Sequence, residues 1–264
     1  MSDKDMIDID DLEDARDKVR YGRSNKSRTV EERERLATAY HEAGHAVLQV
    51  LLPDADPLHK VTIIPRGKAL GATMSLPEKD RYGYGLRWLR ATLRVLCGGR
   101  IAEQRHSNDI SSGAAMDIEQ VTRITRAMIL EWGMSDRLGF VRYAPLESNE
   151  FGFGEKAYSD DTAKIIDEEV RRLCEEAYTD ALRMLNENWD KIEAVAQGLL
   201  KHETLDAEEV AKLCRGEKLD KPTLSGLLAD EMPPAPRTAK PVVQAPTPEL
   251  PPGGLTNGTL PHPG

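Results

Sequence analysis

The run Ala39-Tyr40-His41-Glu42-Ala43-Gly44-His45-Ala46-Val47-Leu48-Gln49 contains two histidines four residues apart, with a glutamate directly after the first. Residues at this spacing share one face of an α-helix, so both imidazoles can point at one position. The H-E-x-x-H pattern is typical of a helix that presents two ligands to a zinc ion. Because only three letters are fixed, the alternative is a chance match in which these side chains are half-buried or solvated. The pattern favours zinc binding.

The residues on either side of the motif favour a helix. Thr29 and Glu32 have the spacing of a capping box, with Thr29 as the N-cap. Leu51-Leu52-Pro53 is the predicted end, because proline cannot continue a helix. Between these limits, apolar side chains recur at spacings of three and four residues, the period of one helix face. They are Leu36, Tyr40, Ala43, Val47 and Val50 or Leu51.

Glu42 follows the first histidine, so its side chain points about 100° round the helix from His41. A carboxylate in that direction can contact a water molecule on the metal rather than the metal itself. Zinc lowers the pKa of such a water to roughly 7, and the carboxylate can take its proton as the oxygen attacks a carbonyl. Glu42 is therefore the predicted general base.

A catalytic zinc site usually has three protein ligands and one open position, so a third ligand is needed. The remaining histidines have no spacing that recommends them and are interpreted as surface residues: His59, His106, His202 and His262. Three acidic residues are candidates, namely Glu103, Asp109 and Asp117. Asp117 opens an amphipathic helix after a small-residue loop, which is also a common place for an ordinary first-turn carboxylate. Spacing alone does not separate the three.

The rest of the sequence predicts a mainly α domain with a small β-hairpin or sheet. Residues 60–65 and 71–76 resemble short strands, with Arg66-Gly67-Lys68-Ala69 as the turn between them. Such a strand beside a metal can hold an extended substrate by main-chain hydrogen bonds, or the hairpin can simply pack on the helices. Both interpretations stay open.

Further helices are indicated after this hairpin. An apolar face from Leu86 to Ile101 includes Gly98-Gly99, which either allows close approach to the motif helix or ends the second helix. Ser159 is the predicted start of a long amphipathic helix, and shorter helices follow from Asn186 and Asp206.

Composition excludes some classes of protein. The net charge of −9 argues against a general nucleic-acid binder, because phosphate binding needs clustered lysine and arginine. The three cysteines form no C-x-x-C pair, which fits reduced thiols in a cytosol-like compartment. No secretory signal is visible, and no apolar run approaches the ~18 residues that span a bilayer.

Eleven of the sixteen prolines lie between Pro222 and Pro263, in a stretch with few large apolar residues. Such a segment buries too little surface to offset the entropy of ordering it. Residues 216–264 are therefore predicted to be a disordered tail, either a tether for partners or a plain solvated segment.

Several motifs in order resemble the peptidase domain of FtsH-type membrane-anchored AAA-plus zinc metalloproteases. The resemblance rests on residues 38–46, 56–67 and 98–103, and it continues through residues 112–118 and 132–135. It implies that zinc is held by His41, His45 and Asp117, where the aspartate lies in the small-residue segment. Glu103 then becomes a supporting or packing residue.

The resemblance also implies a domain plan and a function. Residues 1–28 are expected to be a linker-like segment similar to the connection from the ATPase lid, and residues 29–215 the zinc peptidase domain. The expected activity is that of a zinc-dependent endopeptidase, which hydrolyses unfolded or ATPase-delivered proteins in a quality-control system. Full-length relatives are expected to form homo-hexamers on the cytoplasmic side of the inner membrane.

The sequence has neither a G-x-x-x-x-G-K-[ST] phosphate loop nor an apolar run of the ~18 residues that span a bilayer. We therefore expect a soluble chain that is either an excised peptidase domain or a stand-alone relative. Two other functions are considered. One is a peptidase-like interaction or assembly module with little turnover, and the other is a zinc hydrolase of small amides or esters.

Overall fold

The computed structural model describes residues 6–25, 30–67, 69–76, 82–144 and 158–221. These ranges form seven helices and three short strands, so the predicted mainly α fold with a small sheet is confirmed. The helices are α1 (Ile9–Tyr21), α2 (Glu32–Leu51), α3 (Leu86–Ser107), α4 (Ala115–Leu130), α5 (Asp160–Glu187), α6 (Trp189–His202) and α7 (Ala207–Cys214). The strands are β1 (Leu58–Thr62), β2 (Ala72–Ser75) and β3 (Thr204–Asp206). No helix in these ranges combines the length and the apolar content that crossing a bilayer requires.

Helix α2 carries the H-E-x-x-H motif. It begins at Glu32, with Glu31 at the N-cap position and no side-chain hydrogen bond to the cap. The predicted N-cap, Thr29, lies outside the described residues. Glu32 and Glu34 in the first turn place negative charge at the positive end of the helix dipole. The helix ends at Leu51, as predicted.

Helices α2 and α3 meet at a contact between glycine backbones. A methyl group added at Gly98 would lie 2.6 Å from the carbonyl oxygen of Gly44 and 3.0 Å from Cδ1 of Leu48. A methyl group at Gly44 would overlap the carbonyl oxygen of Gly98 and lie 2.8 Å from Cβ of Ala102. Because α3 continues past the glycines to Ser107, they allow close approach and do not end the helix.

The sheet has the order β2-β1-β3, and both pairings are antiparallel. The predicted hairpin is therefore confirmed, although β1 begins at Leu58, before the predicted strand. Arg66 and Ala69 close the turn with two backbone hydrogen bonds of 3.0 Å. The third strand was not predicted, because three residues are too few to show a period. Asp206 at its end caps α7 in a capping box with Glu209.

The core consists of two clusters of buried apolar side chains, and α5 contributes to both. Its second half joins α2, β1, α6 and α7, through Ala181 and Leu185. The part of α5 before these two residues joins α3 and α4, through Ile166, Leu173 and Ala177. Helix α5 therefore fixes the position of α4 relative to the motif helix.

The N-terminal segment, predicted to be linker-like, contains a helix that contacts β1. Asp17 of α1 is buried, and its Oδ2 lies 2.7 Å from Nζ of Lys60. Arg16 Nη2 lies 2.7 Å from Nε2 of His59. The boundaries at residues 28 and 215 stay predictions, and the proline-rich tail beyond Lys221 lies outside the described residues.

A buried carboxylate fixes the segment that follows α4. Glu169 of α5 is 1% exposed, and its Oε2 accepts a 2.8 Å hydrogen bond from the Ser135 hydroxyl. Arg172 donates two hydrogen bonds of 2.9 Å to the same carboxylate. Arg172, followed by Ser135 and the charge of Arg137, overcomes the effect of burial and lowers the pKa of Glu169 to about 2.

Replacing Gly98 with alanine is expected to destabilise the fold in urea unfolding. Overpacking costs about 1–3 kcal/mol, and a backbone carbonyl cannot rotate away as a side chain can. The better helix propensity of alanine returns at most about 1 kcal/mol. Gly83→Ala is the control, because nothing lies within 4 Å of a methyl group there. A Gly98→Ala protein as stable as the wild type would contradict the close contact.

Replacing Glu169 with glutamine is expected to lower the free energy of unfolding at pH 7 by about 1–3 kcal/mol, because a charged acceptor is lost. The folded-state pKa lies below the ordinary carboxyl value of 4.5. The stabilisation that the Glu169 carboxylate contributes is therefore complete above about pH 4.5 and is lost as the pH falls towards about 2. Urea unfolding across this range should show the two proteins converging at low pH. The neighbouring exposed Glu168 provides the control Glu168→Gln, which should change little.

Candidate active site

The two histidines of the motif meet Asp117, which lies in the first turn of α4. The Nε2 atoms of His41 and His45 are 3.1 Å apart. Oδ2 of Asp117 lies 3.2 Å from Nε2 of His41 and 3.5 Å from Nε2 of His45. Among the described residues, this is the one group of three or more potential metal-binding side chains whose ligand atoms come together. The structure thus brings together the three residues that were named as ligands.

The ring orientation of both histidines is set by α3. Nδ1 of His45 lies 2.7 Å from the carbonyl oxygen of Val95, which can only accept, so Nδ1 carries the hydrogen. Nδ1 of His41 lies 3.4 Å from Oε2 of Glu103. In both rings the other nitrogen, Nε2, is directed to the shared point. Metal-binding histidines commonly have a carbonyl or carboxylate on the far nitrogen in this way.

Gly99 provides the space that the two rings occupy. A methyl group at this position would lie 2.5 Å from Nε2 of His45 and 2.6 Å from Nε2 of His41. A residue with a side chain would therefore force both Nε2 atoms aside. The glycine pair of α3 thus has two roles: Gly98 admits the backbone of α2, and Gly99 admits the imidazoles.

The electrostatics of the cluster favour a cation. Burial disfavours a charged ring, but hydrogen bonds with Asp117 and Glu103 outweigh it and raise the pKa of His41 to about 10, with help from the charge of Glu42. Burial opposes ionisation of Asp117 too, yet its hydrogen bonds with His41 and His45 hold the pKa of this carboxyl well below its usual range. Three carboxylates therefore act on two imidazoles, and the excess negative charge suits a bound cation.

The donor set fits zinc in both chemistry and spacing. Two imidazole nitrogens and one carboxylate oxygen are a common set for a catalytic zinc ion. Ligand atoms at about 2.0–2.2 Å from a tetrahedral ion lie about 3.3–3.6 Å apart. The three separations here, 3.1, 3.2 and 3.5 Å, are close to that value. The side chains could hold such an ion with only small adjustment.

Glu42 points away from the two histidines towards β2. Its side chain is 6% exposed, and Oε2 accepts a 2.7 Å hydrogen bond from the hydroxyl of Thr73. A methyl group at Gly71 would lie 2.8 Å from both Cγ and Oε1 of Glu42. Neither Thr73 nor Gly71 was named from the sequence. The available signal was their spacing of two residues, which places both on the same face of an extended segment. That spacing does not reveal which element the face contacts until the fold places α2 beside it.

The other candidates do not join the cluster. Asp109 is exposed and lies 3.9 Å from Arg33, whereas Glu103 contacts His41 in the supporting position that the resemblance implied. His106 is half-buried, and its ring stacks on that of Tyr40 with the ring centroids 3.6 Å apart. His59 and His202 are also half-buried, and His262 lies outside the described residues.

Comparison with known proteins identifies the same family that the sequence motifs resemble. Residues 28–213 match the family model described as peptidase family M41. The chain is 50% identical over 223 residues to the ATP-dependent zinc metalloprotease FtsH 2 of Methylacidiphilum infernorum, covering 83% of this chain and 35% of that protein. It is 45% identical over 219 residues to the ATP-dependent zinc metalloprotease FtsH of Magnetococcus marinus, covering 81% and 32%. The chain therefore spans about a third of the length of the curated relatives it matches.

Proposed function

The chain belongs to peptidase family M41, and we propose that it is a zinc-dependent endopeptidase whose metal is held by His41, His45 and Asp117. Glu42 is the proposed general base. The observation that carries the proposal is the meeting of three ligand atoms from two helices, separated by 3.1–3.5 Å, next to a buried carboxylate. The zinc in the names of both relatives supports the choice of metal.

Each protein group has a defined task in this proposal. Zinc bound at the three ligands would supply a Lewis acid that polarises a peptide carbonyl and lowers the pKa of water. Glu42 accepts a proton from the attacking water and returns it to the amine nitrogen as the C–N bond breaks. Val95 and Glu103 hold the two imidazoles in the orientation that the ligand set needs.

Strand β2 is the proposed binding edge for the substrate. In the described sheet it pairs only with β1, so its other edge has backbone groups available to an extended chain. The same strand contacts Glu42 through Thr73, so a polypeptide aligned along it would pass the general base. Main-chain pairing tolerates many side chains, which suits unfolded proteins as substrates.

The relatives' names suggest the wider setting. Both are called ATP-dependent, and this chain covers 35% and 32% of them. We propose that the domain works with an AAA ATPase module that delivers unfolded proteins, in a hexameric assembly at a membrane. Without that module, the domain is expected to cleave unstructured chains such as casein but not folded proteins. Cleavage of a small amide alone would instead support the alternative of a small-molecule hydrolase.

Substitution of Glu42 by glutamine tests the general base. The rate of casein cleavage by the zinc-loaded protein is expected to fall about 10²–10⁴-fold, because glutamine cannot accept a proton. Metal analysis should still find zinc at the wild-type level, since Glu42 is not a proposed ligand. Glu34→Gln, at an exposed position on the same helix, is the matched control and should keep full activity. Full activity in Glu42→Gln would contradict the proposal, and so would an inert wild-type protein with zinc bound.

Substitution of Asp117 by alanine tests the ligand set. Loss of an outer partner of a metal ligand weakens metal affinity about 10–100-fold, so the loss of a ligand itself should cost more. Competition with a chromogenic chelator would measure the affinity for zinc. Glu103→Gln is expected to weaken zinc affinity only about 10–100-fold, because Glu103 contacts a proposed ligand and not the metal. Asp109→Asn, at an exposed position, should give none. An Asp117→Ala protein that binds zinc as tightly as the wild type would rule out this residue as the third ligand.

A further inference from the structure

The carboxylate of Glu42 lies against β2 and the glycine that precedes this strand. Thr73 donates its hydroxyl hydrogen to Oε2 at 2.7 Å, while Gly71 leaves room for Cγ and Oε1. No donor among the described residues bonds to Oε1. The two oxygens therefore have different surroundings: one is fixed by a hydrogen bond, and the other is available to exchange a proton with water.

The position of Thr73 is set by the sheet and not by the loop before it. Its backbone is paired with Val61 of β1, which is fully buried in the core. Residues two apart on a strand share a face, and this face of β2 lies against α2. Ser75 on the same face accepts a hydrogen bond from Gln49 of α2 at 2.6 Å. The hydroxyl of Thr73 therefore cannot leave Glu42 unless the strand moves or the side chain rotates.

The Thr73 hydroxyl has a single hydrogen and two acceptors within reach. Oε2 of Glu42 is 2.7 Å away, and the backbone carbonyl oxygen of Glu42 is 3.3 Å away. The shorter contact is to the charged group, and hydrogen bonds to charged groups are the stronger ones. The carbonyl oxygen offers the hydroxyl a second acceptor. The Thr73 hydroxyl can therefore hold the Glu42 carboxylate in place and still has another acceptor if that hydrogen bond breaks.

We propose that Thr73 is a positioning residue for the general base. Its hydroxyl holds Oε2 of Glu42 against β2, so that Oε1 is the oxygen that takes the proton from water and later delivers it to the amine. Gly71 also contributes to this positioning, because a side chain there would displace the carboxylate of Glu42. The inference rests on the proposed function of Glu42.

A purely structural role for Thr73 leads to a different expectation. A buried carboxylate needs a hydrogen-bond partner, and loss of that partner destabilises the fold. Such a loss would lower the temperature of unfolding, yet the turnover number of the folded protein would stay the same. A positioning role lowers the turnover number and leaves KM and zinc content unchanged. The two roles can therefore be separated by measuring all four quantities.

The test compares Thr73→Val with the wild type as zinc-loaded proteins. Valine keeps the shape of threonine and removes the hydroxyl. We expect kcat for casein or an unstructured peptide to fall about 10–100-fold, the equivalent of one hydrogen bond to a charged group. KM should stay within about twofold, because no substrate contact is lost. Zinc content and the visible spectrum of the cobalt-loaded protein should match the wild type.

Three matched variants complete the experiment. Thr73→Ser keeps the hydroxyl and should restore kcat to within about threefold of the wild type. Thr204→Val removes a hydroxyl from β3, where it lies 2.7 Å from the hydroxyl of Thr62, and should leave kcat unchanged. Gly71→Ala keeps Thr73 but places a methyl group 2.8 Å from the Glu42 side chain, so it should also lower kcat.

The outcomes are distinct. Active wild type with an unchanged kcat in Thr73→Val would overturn the role of Thr73 and leave the peptidase function intact. That role would also be overturned if Thr73→Ser were as slow as Thr73→Val, or if the spectrum of the cobalt-loaded Thr73→Val protein changed. A wild-type protein that binds zinc but cleaves nothing would overturn the proposed function, and the inference with it.

Discussion

The contact between the backbones of Gly44 and Gly98 is the constraint on which the site depends. It brings α3 so close to α2 that the next residue, Gly99, lies against both imidazoles, and the Val95 carbonyl is within hydrogen-bond distance of His45. Helix axes usually lie about 8–10 Å apart, and the closest spacing requires the smallest residues at the crossing. A larger side chain on either helix would separate the histidines from the groups that orient them.

Helix α2 serves the site with two different faces. One face presents the histidines to α3 and α4, and the neighbouring face presents Glu42 to β2. The single-residue step between His41 and Glu42 is what separates them, because it turns the side chain by about 100°. The proposed ligands and the proposed general base are thus supported by different elements. In the proposed mechanism, a change in the sheet would disturb proton transfer while metal binding stays intact.

The parts of the site that follow from local spacing could be predicted from the sequence, and the parts that depend on tertiary contacts could not. The H-E-x-x-H motif needs only a helix, so His41 and His45 could be predicted as ligands from their spacing alone. Spacing did not separate Asp117 from Glu103 and Asp109, and only the family resemblance favoured Asp117. The sequence allowed two interpretations of Gly98-Gly99, and close approach to the motif helix was one of them. Thr73 was not foreseen, because its partner is 31 residues away in sequence. The stacking of His106 on Tyr40 was missed for the same reason, whereas strand β3 was missed because three residues are too few to show a period.

The three proposed ligands differ in how firmly the protein holds them. Helix α3 fixes both histidines, but Asp117 lies at the start of α4, where the N-cap residue Ala114 makes no side-chain hydrogen bond. Its neighbours Met116 and Ile118 are 72% and 50% exposed, whereas Met128 near the other end of α4 is fully buried. The first turn of α4 is therefore the least supported part of the site. A metal held by all three side chains would join this turn to α2, so that binding of the ion and ordering of the helix start would stabilise each other.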